Sequence, residues 1–192
     1  MVLKLKQVFM PEFDEPYQKV QAWFFSFSSR QPTLSELSKT LNMSKTTANE
    51  AISRLVEEGF IIKEVIGRAW RLSYNRQHPH NFSRKIAFNL KGVYESGILD
   101  EIHKAVPNTS TIILFGSYRK GDDDEKSDLD LATEVLGNQE LRILELGILP
   151  RFGYRTNVPV HLHLFSRNKV DLNLFANIAN GIVLEGFLEV RP

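Results

Sequence analysis

Two short groupings in this 192-residue chain carry a chemistry together that neither carries alone: Gly116-Ser117, and Asp128-Leu129-Asp130 a short way downstream. Glycine at 116 lets backbone come close to an anion, and Ser117 adds a hydroxyl where a helix begins. Amides, hydroxyl and helix dipole then converge on phosphate. On an extended strand, alternation sends Asp128 and Asp130 to one face and Leu129 and Leu131 to the other. Two carboxylates about 7 Å apart along one face, next to a phosphate-binding turn, can share divalent cations that bridge a triphosphate. Magnesium is the natural ion for such oxygen ligands. A Gly-Ser pair is common and an Asp-x-Asp is usually a solvated surface pair, so the inference rests on their joint occurrence. Arg119 and Lys120, between the two groupings, either help to neutralise phosphate charge or lie on the surface. The acids from Asp122 to Glu125 read as a solvated loop, because four adjacent carboxylates repel one another and cannot all face one site.

These residues need elements to position them. Thr111 to Phe115 is a continuous apolar run rich in β-branched residues, as a strand buried on both faces requires. It delivers the chain to Gly116, and a second strand over Asp128–Val135 carries the carboxylates. Upstream, Lys91 to Ala105 reads as one helix with Val93, Ile98, Ile102 and Ala105 inward, and Asn108 opens a new segment. Downstream, residues 158–165 alternate: Val158, Val160, Leu162 and Leu164 take one face, His161, His163 and Phe165 the other. A helix over Asn168–Ala179 and, after Gly181, a last strand at Ile182–Leu184 complete this half.

The succession of apolar strand, Gly-Ser, polar connection and Asp-x-Asp on a second strand closely resembles the signature of the DNA polymerase beta-like nucleotidyltransferase superfamily. Its small prokaryotic members are the best likeness, in detail over Ile112–Val135. The resemblance implies that Gly116 and Ser117 hold nucleotide phosphates, with Arg119 and Lys120 assisting, and that Asp128 and Asp130 bind Mg2+. It implies transfer of a nucleoside monophosphate from an NTP to a hydroxyl or other acceptor, with release of pyrophosphate. It also implies a third carboxylate from a later strand, where this chain reads VPVHLHLF. His161 is the preferred occupant of that position, ahead of His163, which makes Asp128, Asp130 and His161 the expected catalytic set. The competing reading puts both histidines on a solvent-facing side. A neutral imidazole can ligate a metal or act as a base, but it takes one negative charge from a site that must attract magnesium. Asp171 is the other acid within reach of this region, though it falls inside a helical pattern.

The N-terminal half has a different character. Tyr17, Val20, Trp23, Phe24 and Phe27 recur at helical spacing from Asp14 onward, with Pro16 in the first turn. Thr33 followed by Glu36 marks a capping box that opens a helix to Leu41. Ser44 is a good N-cap for a helix over Lys45–Glu58, closed by Gly59. Strand-like runs at Phe60–Val65 and Ala69–Tyr74 flank Ile66-Gly67-Arg68, a hairpin signal. The stretch LSELSKTLNMSKTTANEAISRLVEEGFI resembles the winged-helix families of prokaryotic transcription regulators. That likeness implies binding of double-stranded DNA, with Ser44, Lys45, Thr46, Asn49 and Arg54 on the recognition helix and Lys63, Arg68 and Arg71 on the wing. A packing or dimerisation module is the plainer alternative. His78 and His80 read as solvated linker residues, and Trp23 and Trp70 as core or wing packing.

Composition agrees with this division. Residues 1–90 carry 13 Lys and Arg against 8 Asp and Glu, and residues 91–192 carry 11 against 15, within a net charge of +1. A basic half favours a nucleic-acid face. With no cysteine, disulfides, thiolate metal sites and a thiol nucleophile are excluded. Met1–Met10 lacks a signal-like apolar core and no run approaches membrane-helix length, so a cytoplasmic protein without membrane association is expected. The expected class is α+β: a winged helix-turn-helix over 1–76, a linker and connecting helix over 77–90, and a nucleotidyltransferase-like mixed sheet flanked by helices over 91–192. Two functions follow. One is a transcription regulator, often dimeric in its class, with a degenerate transferase domain that binds metal and nucleotide. The other is an active Mg-dependent transferase acting on a protein or nucleic acid, as in toxin–antitoxin pairs.

Overall fold

The computed structural model describes residues 15–107 and 109–190. Met1–Met10, Asp14 and Asn108 lie outside them. The N-terminal half holds α1 (Pro16–Ser26), α2 (Leu34–Thr40), α3 (Lys45–Glu57) and a hairpin of β1 (Ile61–Ile66) with β2 (Ala69–Tyr74). Thr33 and Glu36 form a reciprocal capping box: the Thr33 hydroxyl accepts from the Glu36 amide at 3.2 Å, and the Glu36 carboxylate accepts from the Thr33 amide at 2.7 Å. Ser44 accepts from the Thr47 amide at 3.0 Å and fixes the start of α3. The helices close on Val20, Trp23, Phe24, Leu37, Ile52 and Leu55, with Phe60 and Leu72 brought in by the hairpin. Thr33→Ala removes one half of the box and is expected to cost about 1 kcal/mol, read as a lower urea midpoint at unchanged slope.

The C-terminal half is a five-stranded sheet of β3 (Thr111–Leu114), β4 (Leu129–Glu134), β5 (Arg142–Phe152), β6 (Arg155–Phe165) and β7 (Ile182–Gly186) in the order β5-β6-β4-β3-β7. Only the β4–β6 pairing is parallel. One sheet face packs Leu129, Leu131, Leu146, Leu149, Val158, Val160 and Leu162 into the main core, together with Val93 of α4 (Asn81–Glu95) and Ile98 and Ile102 of α5 (Ile98–Ala105). The opposite face is covered in part by α7 (Leu172–Ala179), whose Ile178 packs in one cluster with Ile113, Phe115, Ala132 and Phe165. A five-residue helix, α6 (Gly116–Lys120), links β3 to the loop before β4.

Three expectations need correction. The helix expected over Lys91–Ala105 is two helices, broken at Gly97, which adopts φ +72°, and Ala105 is exposed rather than inward. The helix expected from Asn168 begins only at Leu172, because Asp171 is its N-cap and accepts from the amides of Asn173 and Leu174 at 2.9 and 3.1 Å. Asp171 thus serves as a helix cap, and no hydrogen bond or ion pair among the described residues links it to the histidines beside Asp128 and Asp130. The run Asp122–Glu125 is no free solvated loop: Asp123 is 3% exposed.

The loop is docked instead. Lys85, wholly buried on α4, places Nζ 3.2 Å from Asp123 Oδ2 and also donates to the Asp123 carbonyl. Asn89 donates to Asp123 Oδ1 at 2.7 Å and to the Tyr118 carbonyl at 3.0 Å. From the winged-helix half, Ser28 donates to the Asp123 carbonyl at 3.1 Å, and the Ser29 hydroxyl and the Arg30 guanidinium reach Glu125. Burial pushes the Asp123 carboxyl up and the Lys85 ammonium down, against their mutual attraction. Phe88 of α4 packs against the cores of both halves, so the helix joins them rather than merely spanning between them.

Candidate functional site

The Gly-Ser turn and the paired carboxylates meet at one end of the sheet, on the face away from the main core. Gly116 adopts φ +69°, a conformation cheap only for glycine, and a Cβ there would lie 2.8 Å from Asp130 Oδ2. Glycine is thus required by its backbone angle and by the close approach of Asp130. Ser117 and Arg119 are half-buried and Lys120 is exposed on α6. With only five residues, α6 adds little dipole of its own, so backbone amides and the Ser117 hydroxyl are what the turn offers an anion. The Arg119 Nε is buried and has no hydrogen-bond partner among the described residues. Tyr118 is buried beside the turn: burial raises its phenol above the usual range, and its oxygen accepts from Arg155.

Asp128 stands immediately before β4, and Asp130 is its second residue. Alternation holds, with Leu129 and Leu131 fully buried on the core side. The parallel pairing sets Asp130 directly opposite His161 and Ala132 opposite His163. His161 Nδ1 lies 3.8 Å from Asp128 Oδ2 and 3.9 Å from Asp130 Oδ1, and His163 Nε2 lies 3.4 Å from Asp130 Oδ1. Both histidines therefore face the carboxylates, with His161 in direct register. His163 is also fixed by an edge-to-face contact with Phe115, centroids 4.9 Å apart.

No Lys or Arg pairs with Asp128 or Asp130 among the described residues; their near neighbours are the two imidazoles. No group of three or more His, Cys, Asp or Glu side chains among those residues is arranged to hold a metal ion by itself. The oxygen pair still fits magnesium in the way that ion is usually held, through one or two carboxylates completed by substrate phosphates rather than by a protein cage.

The strand expected over residues 158–165 lies within β6, but its hairpin partner β5 had no counterpart in the sequence reading, and that partner brings Glu145 opposite His161. The alternation of Leu144, Glu145 and Leu146 before the turn at Gly153-Tyr154 was the signal available for it.

The residues expected to meet DNA divide. Lys45 and Thr46 are exposed at the start of α3, Asn49 is half-buried with its Oδ1 out of solvent, and Lys45 and Arg68 line a cleft of about 400 Å³ with Thr33, Leu34, Ser35, Ala69 and Trp70, between the starts of α2 and α3 and the hairpin. Lys63 stacks its ammonium over Trp70 at 4.2 Å. Ser44 is exposed but spends its hydroxyl on the cap. Arg71 faces Glu64 across the hairpin at 3.8 Å. Arg54 stands apart: it pairs with Glu58 at 3.1 Å and stacks on Tyr17 at 4.2 Å, on the flank of α3 that meets α1.

Comparison with protein families matches residues 31–62 to a winged helix-turn-helix DNA-binding family and residues 96–181 to the nucleotidyltransferase domain family. The first covers α2, α3 and the start of the hairpin; the second covers the Gly-Ser turn, both carboxylates and both histidines. Neither the curated proteins nor the solved structures gave a match. No helix among the described residues is long and apolar enough to cross a membrane. The chain joins a winged helix-turn-helix domain to a nucleotidyltransferase domain, in one α+β protein.

Proposed function

We propose that this protein is a DNA-binding regulator whose transferase domain binds a nucleoside triphosphate together with a divalent cation. The observation that carries the reading is the convergence of Asp128, Asp130 and the Gly116-Ser117 turn at one sheet end, with a histidine opposite Asp130 where an active transferase is expected to place an acid. The carboxylates attract the cation, and the turn's amides with the Ser117 hydroxyl receive phosphate oxygens. When bound, the cation would neutralise and orient the triphosphate. With one acid fewer, binding is favoured over turnover.

A second reading, an active nucleotidyltransferase, draws on the same register: His161 is placed to take a proton from an acceptor hydroxyl beside the carboxylates. It predicts release of pyrophosphate from an NTP in the presence of an acceptor, abolished when His161 is replaced by alanine.

The DNA half is tested by anisotropy titrations of duplex DNA over a range of salt. Lys45 and Arg68 at one cleft are the expected phosphate contacts, so the Lys45→Ala, Arg68→Ala variant should flatten the slope of log affinity against log salt by about 2, roughly one per lost contact. Binding that does not change with salt would count against the proposal. The domains' association as homodimers on paired half-sites belongs to the same reading, and sedimentation with and without DNA tests it.

A further inference from the structure

The acid that β6 lacks is present one strand away. β5 is the outer strand next to β6, and its register sets Glu145 opposite His161, while β4 on the other side sets Asp130 opposite the same histidine. The three residues form a row across β4, β6 and β5. Their shared face follows from the core. Leu144 and Leu146, flanking Glu145, pack on the core side, as do Leu129 and Leu131 flanking Asp130 and Val160 and Leu162 flanking His161. Opposed residues on one face have Cβ atoms roughly 4.5–5.5 Å apart, within reach of a glutamate side chain. A bulge follows at once, between Glu145 and Gly147, and such irregularities re-aim side chains at sites. Glu145 and His161 line a common cleft of about 220 Å³ with Gly147, Ile148, Pro159 and Val160, so no bulky residue stands between them.

Two unmet needs coincide there. His161 turns Nδ1 to Asp128 and Asp130, and its Nε2 has no hydrogen-bond partner among the described residues. Glu145 is exposed and, among those residues, makes neither hydrogen bond nor ion pair, with His161 included, so its carboxylate is unclaimed and meets the ring only after its side chain turns inward across the cleft. A ring N–H held by a carboxylate fixes the imidazole tautomer and leaves the other nitrogen bare, which is how outer carboxylates tune histidines that face cations.

We propose that Glu145 is the positioning residue of the metal–nucleotide site: it accepts the His161 Nε2–H, so that the Nδ1 lone pair is presented toward Asp128 and Asp130. The inference rests on the proposed nucleotide binding. Its consequence is that β5 and β6 together supply, in place of a third acid, an oriented imidazole nitrogen beside the two aspartates that binds a cation.

Mn2+·ATP is the probe, since manganese accepts imidazole more readily than magnesium does. Calorimetric titration of the intact chain should show Glu145→Ala weakening Mn2+·ATP by about 10- to 100-fold, the usual cost of losing an outer carboxylate. Glu145→Gln, which keeps an acceptor oxygen, should recover most of that loss. In a His161→Ala background Glu145→Ala should add nothing. Separately, 15N spectra of labelled histidines with Mg2+·ATP bound should show the Nε2–H tautomer for His161 in the native chain and a mixture in Glu145→Ala. Unchanged affinity and tautomer in Glu145→Ala overturn the assignment while nucleotide binding stands. An undiminished loss in the His161→Ala background overturns it also, since Glu145 would then act through its own charge. If the native chain binds no Mn2+·ATP, the functional reading falls, and the assignment falls with it.

Discussion

Lys85→Met is expected to destabilise the protein by about 3–5 kcal/mol, the usual cost of removing one partner of a buried ion pair. Its ammonium is wholly buried and serves the Asp123 carboxylate and carbonyl together. Without it, a buried carboxylate remains with only the Asn89 amide to meet it. The double variant Lys85→Met, Asp123→Asn should recover much of the loss, because the uncompensated charge has gone. Burial raises the Asp123 carboxyl above its ordinary range. A carboxyl raised on folding favours the fold at low pH, and this advantage disappears as pH rises through the folded value. The deficit of Lys85→Met should therefore be larger at pH 7 than at mildly acidic pH. Urea denaturation at the two pH values checks both the magnitude and the sign. A deficit under 1 kcal/mol that does not change with pH would show that the pair does not hold the loop.

That loop matters because it runs from the Gly-Ser turn to the Asp-x-Asp strand. Its far side is held by Ser28, Ser29 and Arg30, just before the capping box that opens α2. The spacing of the two motifs is thus set partly by the other half of the chain.

The second large effect belongs to the carboxylates. Asp128→Asn with Asp130→Asn keeps side-chain size but removes both charges that draw in the cation. If each charged contact contributes roughly 1.5–3 kcal/mol, the pair is worth at least about 3 kcal/mol, or a 100-fold loss in Mg2+·ATP affinity. Stability should hold or rise slightly, because two like charges on one strand face no longer repel. A variant that binds Mg2+·ATP as the native chain does would place the ligand elsewhere.

Local signals made most of the winged helix legible. The Thr33–Glu36 box, the Ser44 cap and Gly59 each act within a turn of the chain, and the structure has all three where spacing put them. The alternation at Asp128–Leu131 and Val158–Leu164 was equally local, and it was enough to bring Asp130 and His161 to one face. What escaped was set by distant partners. Asp123 looks solvated among its acidic neighbours, and only Lys85 and Asn89, far back on α4, make its burial tolerable. Arg54 looks free on the recognition helix until Tyr17 and Glu58 take it. Glu145 was hidden because β5 itself went unread: its bulge breaks the period-two pattern directly after the residue, leaving only Leu144–Leu146 to alternate.

The most direct test of the account is a calorimetric titration of ATP into the intact chain with Mg2+ and, separately, with EDTA. The account predicts saturable binding that needs magnesium and nucleotide together, with little uptake of Mg2+ alone, because two carboxylates complete their site only with phosphate oxygens. Equal binding of ATP with EDTA present, or none of any NTP with magnesium, would contradict it.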